Sequence, residues 1–188
     1  MTSPTPFRVL GVAGSLRRGS FNRALIDTAA DLAGTRLDIV AFDLEGIPMF
    51  NADVEKAGDP EPVVLWKQAI ADADGLLIST PEYQRGVPGV LKNALDWASR
   101  PPGESALRRK PAAIMGAATG MTGTARAQSQ LRQTLVYNDC QVVQRPEVLV
   151  ADARSKFDED GTFQDETGKK FLSELLDKLV EIMERAGD

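Results

Sequence analysis

From Phe7 to Val150 the chain repeats one pattern, a short and nearly unbroken apolar run followed by a turn and then by apolar residues at helical spacing. The runs are FRVLGVA (Phe7 to Ala13), LDIVAF (Leu37 to Phe42), GLLIS (Gly75 to Ser79), PAAIMGAA (Pro111 to Ala118) and QVVQRPEVLV (Gln141 to Val150). Strands without polar alternation must be covered on both faces, and strands separated by helices pair in parallel through right-handed crossovers. Few folds satisfy both conditions. The expectation is an α/β domain, a doubly wound five-stranded parallel sheet with helices on both faces.

The helices are placed at Asn22 to Ala33, Val63 to Asp74, Pro88 to Ser99, Thr124 to Val136 and about Thr167 to Arg185. A serine and an asparagine stand ready to cap the first, and Pro88 is read as the first residue of the third. Pro146 cannot donate to a ladder, so the strand that holds it belongs at an edge. Gly46 to Pro62 is a long connection with no assigned role, and Phe157 to Phe163 suggests a small hairpin around Asp160-Gly161. The whole chain, 1–188, reads as a single domain, with residues 1–6 expected to be disordered.

Composition then removes reaction classes. There is no histidine, which excludes Ser-His-Asp and Cys-His hydrolysis and histidine-ligated zinc. The single Cys140 can form neither an intrachain disulfide nor a thiolate cluster; it fits a reducing compartment and reads as a small buried hydrophobe. Neither a signal peptide nor a membrane span is evident, so a cytoplasmic location is expected. A formal net charge of −5 argues against nucleic acid as a partner. No side-chain nucleophile or metal site stands out.

In an open parallel sheet, ligands bind beyond the carboxyl ends of the strands where strand order reverses. Three loops qualify here. Gly14 to Arg23 holds three arginines and no acid within an acidic chain, and it leads into a helix whose N-H groups and dipole favour an anion. Ser20-Phe21 stands where a triphosphate-binding loop would have lysine, and the glycine spacing does not match the dinucleotide fingerprint, so a terminal monophosphate fits better. Thr80 to Gly89 combines Tyr83, Glu82 and Gln84 with Gly- and Pro-bent backbone, which suits a planar heteroaromatic. Ala117 to Gly123 is small enough to let backbone approach a ligand.

The motifs GSLRRGSFNRAL (Gly14 to Leu25), PEYQRGVPGVLKNALDW (Pro81 to Trp97) and GAATGMTGTARAQ (Gly116 to Gln128) closely resemble the NADPH-dependent FMN reductase family. The resemblance spans Phe7 to the last helix and implies a flavodoxin-like fold with FMN as cofactor and NADPH or NADH as co-substrate. It implies that Ser15, Arg17, Ser20 and Asn22 hold the FMN phosphate and that Pro81, Glu82, Tyr83 and Gln84 lie against the isoalloxazine ring. Ala118, Thr119 and Gly120 would flank the cofactor, and Arg85 would guide the phosphates of the nicotinamide cofactor. Three positions depart from the family: Gln84 replaces a usual asparagine, Ala118 a frequent serine and Met121 a frequent glycine. Gln84 moves its amide by one methylene, and Ala118 keeps only its backbone donor.

The implied activity is an FMN-dependent NAD(P)H oxidoreductase in which hydride passes from nicotinamide to the flavin and electrons then pass to a small acceptor such as a quinone, free flavin, azo compound or metal oxyanion. The flavin carries the chemistry, which is compatible with the missing histidines. Two other readings compete: a flavodoxin-type electron carrier without direct NAD(P)H reactivity, and a sensor that kept the fold but lost the flavin. The family commonly forms homodimers and homotetramers, and Trp97 is assigned to either the core or a subunit interface.

Overall fold

The computed structural model describes residues 5–187. Six strand segments form one sheet: β1 (Phe7–Ala13), β2 (Leu37–Phe42), β3 (Gly75–Ser79), β4 (Pro111–Ala117), β5 (Gln141–Val142) and β6 (Val148–Val150). Every pair is parallel and the order is β2-β1-β3-β4-β5, with β6 also on β4. This is the flavodoxin-like order, whose reversal lies between β1 and β3. The expected disorder of residues 1–6 falls, for 1–4, outside the described residues; Thr5 and Pro6 are exposed and irregular.

The helices are α1 (Phe21–Ala33), α2 (Ala52–Ala57), α3 (Glu61–Ala71), α4 (Gly89–Ala98), α5 (Ala125–Tyr137) and α6 (Glu166–Gly187). Each central strand feeds two cores, which explains its unbroken apolar run. Val9, Leu77, Ala113 and Met115 pack with Leu25 and Ala29 of α1 and with Leu172, Leu176 and Leu179 of α6. Leu10, Leu76, Ile78 and Ile114 face the other way, toward Trp66 and Ile70 of α3, Leu91 and Leu95 of α4 and Leu131 of α5. Gly11 lets α1 lie close on the sheet, since a Cβ there would stand 2.7 Å from Ile26 Cγ2.

Three expectations change. The strand expected over Gln141 to Val150 is broken: β5 and β6 flank residues 143–147, where Pro146 offers no N-H to the ladder. Side chains of α5 hold the broken edge instead, with Arg132 donating to the Val143 carbonyl at 2.7 Å and Gln128 to that of Val148 at 2.9 Å. Pro88 is the N-cap of α4 rather than its first residue. Ser20 occupies the N-cap of α1, but its side chain makes no capping bond, and Asn22 lies inside the helix.

The connection from Gly46 to Pro62 carries α2 and is clamped to α4. Asn93 and Trp97 both donate to the Pro48 carbonyl at 2.8 Å, and Asn93 Oδ1 accepts from Phe50 N-H at 2.7 Å. Trp97 is therefore a fully buried core residue of this chain. Cys140 is buried, its thiol pointing at the Leu107 carbonyl, and burial pushes its pKa up to about 12. Phe157 and Phe163 form the expected antiparallel bridge.

Candidate active-site cleft

Beyond the carboxyl ends of β1, β3 and β4 the three loops enclose a cleft of about 490 Å³, within the range of ~300–1,000 Å³ usual for cofactor sites. Ser15, Arg17, Ser20 and Asn22 line it from the first loop and α1. Pro81, Glu82 and Tyr83 line it from the second loop, and Ala118 and Thr119 from the third. Gln84, Arg85 and Gly120 do not line it.

The residues expected at the phosphate divide by what their groups already do. Asn22, nearly fully buried, donates to the Ala117 carbonyl at 2.9 Å, and its Oδ1 accepts from Ala117 N-H at 2.9 Å and Ser79 Oγ at 3.0 Å. Its side chain thus ties α1 to β3 and β4, and what it offers the cleft is its backbone. The N-H groups of Phe21 and Asn22, in the first turn of α1, have no partner among the described residues. Ser20 is 5% exposed, and its hydroxyl is uncommitted. Those donors and the positive end of the helix dipole are chemically able to receive an anion.

The three arginines of the first loop are not equivalent. Arg23 pairs with Asp43 at 2.9 Å and leaves the cleft. Arg17 stays at the cleft, its guanidinium 5.4 Å from the centre of the Phe21 ring. Arg18 is exposed and does not line the cleft.

The second loop is held through Glu82. Its carboxylate accepts from the N-H groups of Arg126 at 2.9 Å and Ala127 at 3.2 Å, and from the Arg126 guanidinium at 3.1 Å. Desolvation raises the pKa of this carboxyl, but the Ala127 N-H and the Arg126 guanidinium and N-H outweigh it, holding it below the ordinary value. Thr124 gives α5 no side-chain cap, so Glu82 caps that helix from a distant loop. Its carboxylate faces α5, and Pro81 to Tyr83 present backbone and ring to the cleft. The Tyr83 hydroxyl lies 3.4 Å from Ser15 Oγ, joining the first two loops, while the ring remains half exposed.

Gln84 and Arg85 form the tip of a two-residue hairpin, since Tyr83 and Gly86 exchange both backbone hydrogen bonds at 3.1 and 3.0 Å. Both tip residues have positive φ, 48° and 65°. The hairpin is tied to α5 by Gln130, which accepts from Val87 N-H and donates to the Arg85 carbonyl. In the third loop the Ala118 N-H is committed to the Val150 carbonyl at 3.0 Å, so the backbone donor expected there is already used. Met121 is 89% exposed and away from the cleft lining.

Arg154 and Phe21 also line the cleft and were not among the sequence candidates. Arg154 follows β6, so the carboxyl-end rule, applied to the fifth strand as to the others, would have found it. No cluster of metal-ligating residues exists among the described residues.

Known proteins resemble the chain in the same terms. Residues 7–155 match the family model of the NADPH-dependent FMN reductases. An NAD(P)H-dependent FMN reductase of Pseudomonas aeruginosa is 45% identical over 172 residues, 92% of each chain. A 2-hydroxy-1,4-benzoquinone reductase of a Burkholderia species is 45% identical over 171 residues, 91% of this chain and 93% of its own. Among solved structures, a flavoenzyme NAD(P)H:(acceptor) oxidoreductase from Paracoccus denitrificans superposes with a TM-score of 0.87 at 35% identity, covering 95% of this chain and 98% of its own. With an anion site at the amino end of α1, loops gathered at the strand reversal and sequence likeness along nearly the whole length, the chain belongs to the NADPH-dependent FMN reductase family.

Proposed function

We propose that this single flavodoxin-like domain is an FMN-dependent NAD(P)H oxidoreductase whose acceptor is a small molecule of the quinone class. The observation that carries this reading is the open amino end of α1, where two N-H groups and the Ser20 hydroxyl, without partners among the described residues, belong to the lining of a cleft that also holds Arg17. A phosphate monoester fits this donor set. The cleft continues to Tyr83 and to the third loop, so that its lining combines anion donors with an aromatic ring. When bound, the flavin supplies two-electron acceptor and donor chemistry.

The chain's own residues bind, orient and shield. Ser15, Arg17, Ser20 and the backbone of Asn22 hold the phosphate end. Pro81, Glu82 and Tyr83 form the wall at the ring, with Glu82 keeping that loop docked on α5. Ala118 and Thr119 flank the cofactor from the third loop, while Gly120, outside the cleft lining, accepts from the N-H groups of Gly123 and Asp152. Gln84 and Arg85, on the tied hairpin and outside the cleft lining, are assigned here to contacts with the nicotinamide cofactor or the acceptor. The reductase names of the relatives favour the enzyme over an electron carrier, and the quinone reductases among them support the acceptor class.

A cytoplasmic location accords with a lone buried thiol and with use of NAD(P)H, and among the described residues no helix is long and apolar enough to cross a membrane. A homodimer or homotetramer is proposed on the family resemblance and on the exposed Val136 and Tyr137 at the end of α5. The test is a visible spectrum after FMN loading and desalting, repeated without oxygen on adding NADPH and then a benzoquinone. A retained band that bleaches with NADPH and returns with quinone supports the proposal. A retained band that neither NADPH nor NADH bleaches overturns it.

A further inference from the structure

Arg154 sits on the 3-10 turn Ala153–Ser155 after β6, and it lines the same cleft as Ser15, Arg17 and Ser20. Two contacts of neighbouring residues place this turn. Ala153 N-H donates to the Ala118 carbonyl at 3.1 Å, tying the turn to the third loop. On its other side the ring of Phe157 lies 4.9 Å from that of Phe21, the first residue of α1. The turn that carries Arg154 thus lies between the third loop and the amino end of α1.

Its charge is unmatched. Among the described residues the Arg154 guanidinium makes no hydrogen bond and no ion pair, whereas Arg23 is paired with Asp43 and Arg126 with Glu82. Arg17 likewise has no carboxylate partner there. Glu82, the one acid in the cleft lining, is committed to α5. Two unpaired guanidinium groups therefore accompany two open N-H groups and the free, nearly buried Ser20 hydroxyl, in a chain whose net charge is −5. A phosphate monoester carries about −1.5 to −2 at neutral pH, so one arginine leaves it under-neutralised and two match it.

We propose that Arg154 is a second cation on the FMN phosphate, acting with Arg17 at the amino end of α1, and that it sets the preference for FMN over unphosphorylated riboflavin. The proposal rests on the reading that this cleft holds FMN. Arg154 is exposed, so Arg154→Ala is expected to fold. Titration of the apoprotein with FMN and with riboflavin, followed by flavin fluorescence, gives the ratio of the two affinities for the wild type, Arg154→Ala and Arg154→Lys.

The proposal expects the FMN-to-riboflavin ratio to fall at least about tenfold in Arg154→Ala, to be partly kept in Arg154→Lys, and the salt dependence of FMN binding to weaken in Arg154→Ala. An unchanged ratio overturns it. So does unchanged FMN affinity with a raised KM for NADPH and not for NADH, which would assign the guanidinium to the 2′-phosphate of the nicotinamide cofactor. Failure of the wild type to retain FMN would overturn the underlying reading as well, which keeps the two failures apart.

Discussion

The Glu82 carboxylate, on the loop after β3, accepts the first free N-H groups of α5 and the guanidinium of Arg126, 44 residues along the chain. One ion pair thereby joins the second loop of the cleft to the helix that follows the third. Removing its charge with Glu82→Gln is expected to cost about 1 kcal/mol, and Glu82→Ala about 2 kcal/mol, by urea denaturation. The pH dependence has a defined sign. Because the folded pKa lies below the ordinary 4.5, the stabilisation is complete above that value and is lost as pH falls through the depressed one. The gap between wild type and Glu82→Gln should therefore shrink below about pH 4.5 and stay constant above it.

Asn22 and Ser20, two residues apart, should separate stability from binding. Asn22→Ala leaves the Ala117 N-H and carbonyl and the Ser79 hydroxyl without their partner in a buried place. The expected loss is about 2–3 kcal/mol, with the melting midpoint lower by roughly 5–10 °C. Ser20→Ala removes a hydroxyl that caps nothing, so the usual cap penalty of about 1 kcal/mol should be absent. FMN affinity should nevertheless fall. Calorimetry of the two apoproteins beside FMN titrations checks both halves.

The hairpin tip at Gln84 and Arg85 places two side-chain-bearing residues in the left-handed region. Residues that tolerate this conformation should relieve strain. Gln84→Asn is expected to stabilise by about 0.5 kcal/mol and Arg85→Gly by about 1 kcal/mol in denaturant melts. A loss of stability in both variants would show that contacts of these side chains outweigh the backbone strain.

Gly116 marks the closest approach in the sheet. A Cβ there would lie 2.2 Å from the Thr80 carbonyl oxygen and 2.4 Å from Thr124 Oγ1. Both atoms belong to segments that shape the cleft, so Gly116→Ala must displace backbone. We expect a loss of about 3 kcal/mol or more and reduced soluble yield, read from the denaturation midpoint and from expression at two temperatures.

Apart from α2 and the break between β5 and β6, the order of strands and helices was legible in the sequence, as were the two-faced burial of the sheet and the three cleft loops, because they follow from periodicity and from local turn chemistry, which a short window contains. The family motifs added the cofactor and the candidate residues around it. What stayed hidden depends on partners distant in the chain. That Asn22 faces Ala117 and Ser79, that Glu82 turns away to cap α5, that Ala118 N-H is taken by Val150, and that Arg154 reaches the cleft from the far edge of the sheet are all set by how separate segments meet. Residue type determined which groups could bind an anion, but a hydrogen-bond donor already satisfied within the fold cannot also serve a ligand. Only the packed structure decides which donors remain free.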